Sequence, residues 1–309
     1  MSQINLSKRD FLGASLLFSA APILQGCDAF AKPEVKKLDT NFPDFAALEK
    51  EHGGRLGVFI INSQTQKSIS YRANERFAMC STFKLFLAAM ILQDVDKGKL
   101  KLEQEIPIKD TGLRFYSDYA KEAAKKGKIS IYEAVKAIIV FSDNITTNAL
   151  LPYIGGPAGF TKWINNIGDN ITNLTLDEPG MSLVLPNTIE NTTSPLAFAD
   201  DIKKILEPNF LSEKSRKLLI QFMIECETGQ KRIIAGLPKD WTFGHKTGTG
   251  QDEKMANQYN DIGIIWPKNK PAHIITCFYQ ADKYYDDMRA IDELVLQKVG
   301  QIATKWIIA

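Results

Sequence analysis

The spacing of apolar residues changes period twice along the chain. Positions 45–50 repeat at helical steps, and two strand-like runs follow, Arg55–Asn62 and 68–72, separated by a polar turn at 62–67. From Ser81 the period turns helical: Leu85, Ala88, Ala89 and Leu92 fall three and four residues apart until Lys97-Gly98 stops the run. Helical patterns recur at 131–140, 146–153, 159–167, 195–206 and 212–225. Strand-like runs return at 242–247, 261–266 and 273–280, with 250–260 expected as a turn and a closing helix over about 286–306. Strands at both ends around a helical middle predict an α/β plus α fold. Its antiparallel sheet, flanked by helices, is built from both chain ends, and an all-helical domain is inserted between its strands. The expected division is a sheet domain of residues 32–72 and 233–309 and a helical domain of residues 73–232, without internal repeats. The length of 309 residues agrees with two domains at about 150 residues each.

The N-terminus reads as an address. Lys8 and Arg9 precede an uncharged, largely apolar run over residues 11–24, shorter than the ~20 residues that span a bilayer. Residues 7–12 also resemble a twin-arginine signal, with lysine in the first arginine position. Two cleavage sites compete. Residues 24–27 resemble a lipoprotein box that would leave an acylated Cys27, so that 1–26 is removed. Residues 29–31 fit the small-residue pattern of ordinary signal peptidase, so that 1–31 is removed. The expectation is an exported, periplasmic protein whose only membrane tie would be a lipid on Cys27, since no later stretch reaches membrane-spanning length.

Composition narrows the function. Hydrophobic residues make up 44% and charged residues 24%, which is globular, and 38 basic against 36 acidic side chains leave a net charge of +2. A nucleic-acid binder would show a basic excess, so none is expected. His52, His245 and His273 form no HxH or HExxH spacing, which argues against a zinc site. No metal or organic cofactor is indicated, and a monomer is the default. After processing, Cys80, Cys226 and Cys277 remain; an odd number cannot all pair, and buried free thiols are expected, with one pair left open.

The chemistry begins at Ser81-Thr82-Phe83-Lys84, where a hydroxyl and an ammonium share a helix face. Serine is a weak nucleophile without a base beside it, and lysine serves as one only when burial or neighbouring charge lowers its pKa. A lone SxxK is mostly chance. Ser142-Asp143-Asn144, taken alone, is a helix cap between two helical patterns. Residues 245–250, His-Lys-Thr-Gly-Thr-Gly, could alone be an edge strand entering a bend. In this order and at these separations the three match the set of serine β-lactamases and penicillin-binding proteins.

With them the chain resembles the class A β-lactamases, from about Phe45 to Trp306. The likeness includes Glu75-Arg76-Phe77, residues 192–195, residues 235–238 and Trp241, and Leu176-Asp177-Glu178-Pro179 falls at the family's omega loop. The resemblance implies that Ser81 attacks the lactam carbonyl, with backbone N–H groups of Ser81 and Thr249 as the oxyanion hole. Ser142 beside Lys246 would pass a proton to the ring nitrogen, and Asn144 would bond the substrate's side-chain amide. Lys246, Thr247 and Thr249 would meet its carboxylate, and Glu178 would activate the deacylating water. Either Lys84 or Glu178 could be the acylation base. Tyr116 and Ser182 are assigned to the substrate's surroundings. The family's extra arginine is replaced by Tyr259 at one location, and Arg232 occupies the alternative one.

Several departures follow. The arginine and aromatic that the family carries between Asp177 and Glu178 are missing, and the arginine's aspartate partner is Asn191, so the loop is expected to lose its clasp. Ser182 stands for the asparagine that holds the hydrolytic water, so slow deacylation is expected for some substrates. His245 replaces an aspartate beside Lys246. Cys80 lacks the bridging partner of the family's carbapenemases, whose place is taken by Gly250. The alternative functions are a D,D-peptidase or a β-lactam receptor that acylates and deacylates slowly.

Overall fold

The computed structural model describes residues 42–113, 117–185 and 187–309. The processing sites, Cys27 and Tyr116 therefore lie outside the described residues.

In chain order the elements are α1 (Pro43–His52), β1 (Arg55–Asn62), β2 (Ser68–Tyr71), β3 (Phe77–Ala78), α2 (Lys84–Asp96), β4 (Glu105–Pro107), α3 (Asp118–Lys126), β5 (Lys128–Ser130), α4 (Ile131–Val140), α5 (Asn144–Leu150) and α6 (Gly156–Asn166). There follow β6 (Thr192–Thr193), α7 (Pro195–Ile205), α8 (Glu213–Ile224), β7 (Thr242–Asp252), β8 (Met255–Trp266), β9 (His273–Gln280) and α9 (Ala290–Ile308). No described helix is long and apolar enough to cross a membrane.

The five-stranded sheet has the order β2-β1-β9-β8-β7 and is antiparallel throughout. Pairing of β1 with β9 joins the two ends of the chain, and the helical segment between β2 and β7 is inserted, as the apolar pattern predicts. Side chains alternate across a strand, and here both faces are covered. Phe59, Ile262, Ile264 and Phe278 pack against the inserted helices, whereas Val58, Ile60, Ile275 and Tyr279 pack against α1 and α9. Burial on both faces is why these strands read as almost unbroken apolar runs.

Helix starts follow local chemistry. Ser130 and Glu133 form a reciprocal capping box on α4, Asp143 caps α5, and Ser194 caps α7 ahead of Pro195. Helix α2 is buried on every side from Lys84 to Leu92, as a helix crossing a core must be.

The expected turn at 250–260 is much shorter than that. Strands β7 and β8 continue pairing through Gly250↔Gln258 to Asp252↔Met255. Polar residues in this stretch suggest a loop, but Met255 is buried and the fully buried Asn257 donates Nδ2–H to Tyr285 O and accepts from Tyr285 N. Partners thirty residues away supply what the local sequence lacks.

On the buried face of α7, Asp201 is fully buried and neither carboxyl oxygen has a hydrogen-bond partner. Neighbouring Asp169 accepts backbone N–H bonds from Ile171 and Thr172, which hold it as an acceptor. Burial, and then Asp169, push the Asp201 carboxyl up to about 9. The folded chain therefore keeps a proton that the unfolded chain has released, and stability falls as pH rises from about 4 towards 9. Asp201→Asn removes that penalty. Its melting temperature should exceed the parent's at mildly alkaline pH, with the gap narrowing in acid; a gap independent of pH would show that the carboxyl is not held neutral.

Candidate active site

Ser81 stands in a short 3₁₀ turn, Cys80–Phe83, that runs directly into α2, and the Lys84 N–H closes it on Ser81 O. The turn is pinned from β8: buried Asn260 donates Nδ2–H to Ala78 O at 2.8 Å and Met79 O at 3.1 Å. Strand β7 lies against the same turn at Gly248, where a Cβ would stand 2.8 Å from Met79 O. Only glycine permits that approach. Cys80 (φ 44°) and Ser142 (φ 59°) both take left-handed backbone, which costs about 1–3 kcal/mol for each non-glycine residue. Strain of this kind persists where surrounding contacts over-determine the geometry.

Lys84 is the centre of the cluster. Its Nζ donates to Asn144 Oδ1 at 2.5 Å and to Ser142 O at 2.9 Å, and Glu178 Oε1 lies 2.9 Å away as an ion-pair partner. The Lys84 and Glu178 side chains are 0% and 1% exposed. The carboxylate approaches as a charge, since Oε1 meets no donor at hydrogen-bonding angle.

A second cation faces the same space. Lys246 on β7 is buried and donates to Ser142 Oγ at 2.8 Å and to Thr247 O at 2.7 Å. Burial first, and then repulsion from Lys84 and Arg232, lowers its ammonium to about 7. Cys226 and Asp261 oppose that shift, Asp261 supplying the negative charge that His245 does not. Arg232 is 4% exposed and sits behind the strand, its guanidinium donating to Gly248 O at 2.9 Å, Asn260 O at 3.0 Å and Thr249 Oγ1 at 2.8 Å, with Glu293 at 3.3 Å. Tyr259 pairs with Thr249 across the ladder, but its hydroxyl turns away to accept from Arg289 N.

Two asparagines hold the loop carrying Glu178, and motif matching overlooks the first of them. Asn148 is one helical turn beyond Asn144 on α5; its Oδ1 accepts from Glu178 N at 3.0 Å and its Nδ2 donates to Glu178 O at 2.8 Å. The Asn144/Asn148 spacing is the signal that could have found it. Asn191 corrects the expectation of a lost clasp. Its buried Oδ1 accepts from Thr175 N, Thr175 Oγ1 and Leu176 N at 3.0–3.3 Å, so a neutral clasp closes the loop although the ion pair is absent.

The structure thus brings together Ser81, Lys84, Ser142, Asn144, Glu178, Lys246, Thr247, Thr249 and Arg232. Ser182 is set apart, its hydroxyl turned to Met181 Sδ at 3.4 Å. The three described cysteines are free and buried, and a Cβ on Gly250 would stand 2.9 Å from Cys80 Sγ.

A family model described as "Beta-lactamase enzyme family" matches residues 42–307. The chain is 37% identical over 246 residues to Beta-lactamase CTX-M-97 of Escherichia coli, covering 79% of this chain and 83% of that protein. It is 33% identical over 302 residues to Beta-lactamase SME-1 of Serratia marcescens, covering 97% and 99%. Among solved structures, an ancestral (GNCA) class A β-lactamase superposes with a TM-score of 0.79 at 37% identity, covering 84% of this chain and 97% of that one. A β-lactamase from Xanthomonas campestris pv. campestris gives 0.79 at 34% identity, covering 86% and 96%.

The clasp is testable without substrate. Asn191→Ala strands three donors and should cost about 1–3 kcal/mol, read as a lower denaturation midpoint together with faster proteolysis within residues 176–190. A midpoint equal to the parent's would remove Asn191 from that role.

Proposed function

The chain belongs to the β-lactamase enzyme family, in its class A branch, and on that premise we propose that it hydrolyses the β-lactam ring of penicillin-type antibiotics through an acyl-enzyme on Ser81. The observation that carries the scheme is the contact of Glu178 with Lys84, one turn after Ser81, which puts a carboxylate beside the nucleophile.

Ser81 Oγ attacks the lactam carbonyl, and the backbone N–H groups of Ser81 and Thr249 receive the oxyanion; losing one such donor typically costs about 10²–10³ in rate. Three oxygens around Lys84 Nζ favour Glu178 as the proton acceptor, acting through a water, with Lys84 as the charge that steadies it. Cleavage of the C–N bond needs a proton on the departing nitrogen, and Ser142 Oγ, 2.8 Å from Lys246 Nζ, is placed to relay it. Lys246, Thr247, Thr249 and Arg232 form the cationic end that suits a substrate carboxylate. Asn144 would bond the substrate's side-chain amide. In the second half-reaction Glu178, its first proton released, takes a proton from the water that attacks the acyl carbon, and that proton passes to Ser81 Oγ as the acyl C–O bond breaks. Ser182 and Tyr116 are proposed only as parts of the substrate's surroundings.

The chain is further proposed to act as an exported, periplasmic monomer. Residues 1–31 would be removed, or 1–26 with a lipid left on Cys27. Residues 73–232 would form the helical domain, with 32–72 and 233–309 the sheet domain. The N-terminal pattern of Lys8, Arg9 and the apolar run supports export.

Two variants test the scheme. Glu178→Gln should acylate and then stall, with the covalent adduct seen by mass spectrometry and turnover down by about 10²–10⁴; turnover at the parent's rate would refute it. Arg232→Ala should raise KM for a penicillin about tenfold, as expected for one charge-assisted contact, and unchanged KM and kcat would exclude Arg232 from the carboxylate end.

A further inference from the structure

The segment after α8 is seated on β7 at Thr247, and of that segment the hydrolytic scheme uses only Arg232. Thr228 is half-buried, and its Oγ1 lies 2.5 Å from Thr247 Oγ1 and 3.3 Å from Cys226 Sγ. Gly229 follows at φ 70°, and a Cβ there would stand 2.4 Å from Thr247 Cγ2. Thr247 therefore has both branches of its side chain held from one segment, the hydroxyl by a hydroxyl and the methyl by backbone that only glycine lets so close. Contacts to both heavy atoms on Cβ select one χ1 well. The clamp is itself anchored. Glu227 N donates to Val140 O at the end of α4 at 3.0 Å, Gln230 Nε2 to Cys226 O at 2.8 Å, and Arg232 N to Gly229 O at 2.8 Å. On the strand, Lys246 Nζ donates to Thr247 O at 2.7 Å.

Proton counting gives the contact between the two threonines a direction. A carboxylate only accepts, and a hydroxyl has one proton to give. Thr249 meets this demand through Arg232: a guanidinium can only donate, so Thr249 Oγ1 accepts at 2.8 Å and keeps its own proton for a substrate. Thr247 Oγ1 has a hydroxyl where Thr249 Oγ1 has a cation. A carboxylate arriving at the cationic end takes the Thr247 proton. The 2.5 Å contact then has to run from Thr228 O–H to Thr247 Oγ1.

We propose that Thr228 is a positioning residue for recognition of the substrate's carboxylate: it donates to Thr247 Oγ1 and, with Gly229, turns the Thr247 O–H towards the bound anion. The assignment rests on the hydrolase reading, in which Thr247 meets that carboxylate. Hydrogen bonds in a chain polarise one another, so a Thr247 that accepts from Thr228 is the better donor. Thr228 acts through Thr247 and not on the reacting atoms, so its effect belongs to KM.

The full chain, its Thr228→Val, Thr228→Ser and Thr247→Val variants, and the double variant carrying both valines test this with a penicillin. Valine keeps the branched shape of threonine and removes the hydroxyl. KM should rise about three- to tenfold in Thr228→Val, the worth of one hydrogen bond, with kcat within about twofold of the parent's. Thr228→Ser should return KM to the parent's. In the Thr247→Val background, Thr228→Val should change KM no further, because the group it acts through is gone. A packing role alone would fail both parts: serine lacks the methyl and would not rescue, and the loss would recur beside Thr247→Val. An unchanged KM in Thr228→Val, a serine variant no better than valine, or an equal rise in the Thr247→Val background each overturns the proposal. Absence of lactam turnover by the parent overturns the hydrolase reading and this role with it, whereas turnover with any of those three results overturns this role alone.

Discussion

Lys84 places an ammonium where none of its side chain reaches water, and three oxygens from the loop before α5, from α5 and from the Glu178 loop converge on it. A buried charge stripped of a partner costs about 3–5 kcal/mol, so the positions of those three oxygens are coupled. Helix α5 must start at Asn144, the preceding loop must turn through Ser142, and residue 178 must reach inward. Because Lys84 is the first residue of the helix entered from the Ser81 turn, the nucleophile's position is tied to the same demand.

Strain and close approach meet around that point. Cys80 and Ser142 hold left-handed backbone on two sides of the site, while Asn260 and Gly248 bring the sheet within contact of the Ser81 turn. The sheet is rigid because both faces are covered, and it carries Lys246 and Thr247 on its edge strand β7. The inserted helices carry Lys84 and Asn144. A site assembled from the sheet edge and the inserted helices depends on both cores being packed, which places its reactive groups on ordered elements.

The loop bearing Glu178 is closed by neutral groups. Asn191 accepts three hydrogen bonds at its neck, and Asn148 holds the backbone of residue 178 from both sides. Buried ion pairs contribute little net stability once desolvation is counted, while a hydrogen-bonded amide carries no such cost. The shortened loop therefore needs no charged clasp, and Glu178 still reaches Lys84 with a side chain only 1% exposed.

What the chain's residues determined locally was a great deal. Strand periods at both ends, helical periods between them and the spacing of Ser81, Lys84, Ser142, Asn144 and Lys246 were all legible, because side-chain periodicity and motif order are properties of the chain itself. Helix α3 was not, since its buried face is only Ala120 and Ala123. Nor were the two-residue strands β3 and β6, too short to show a period, or the long β7–β8 ladder, whose polar residues find partners near Tyr285. The roles of Asn148, Asn191 and Asn260 lay equally out of reach. Asparagine takes its function from what stands opposite it, and those partners lie from 15 to 182 residues away, so tertiary packing alone decided them.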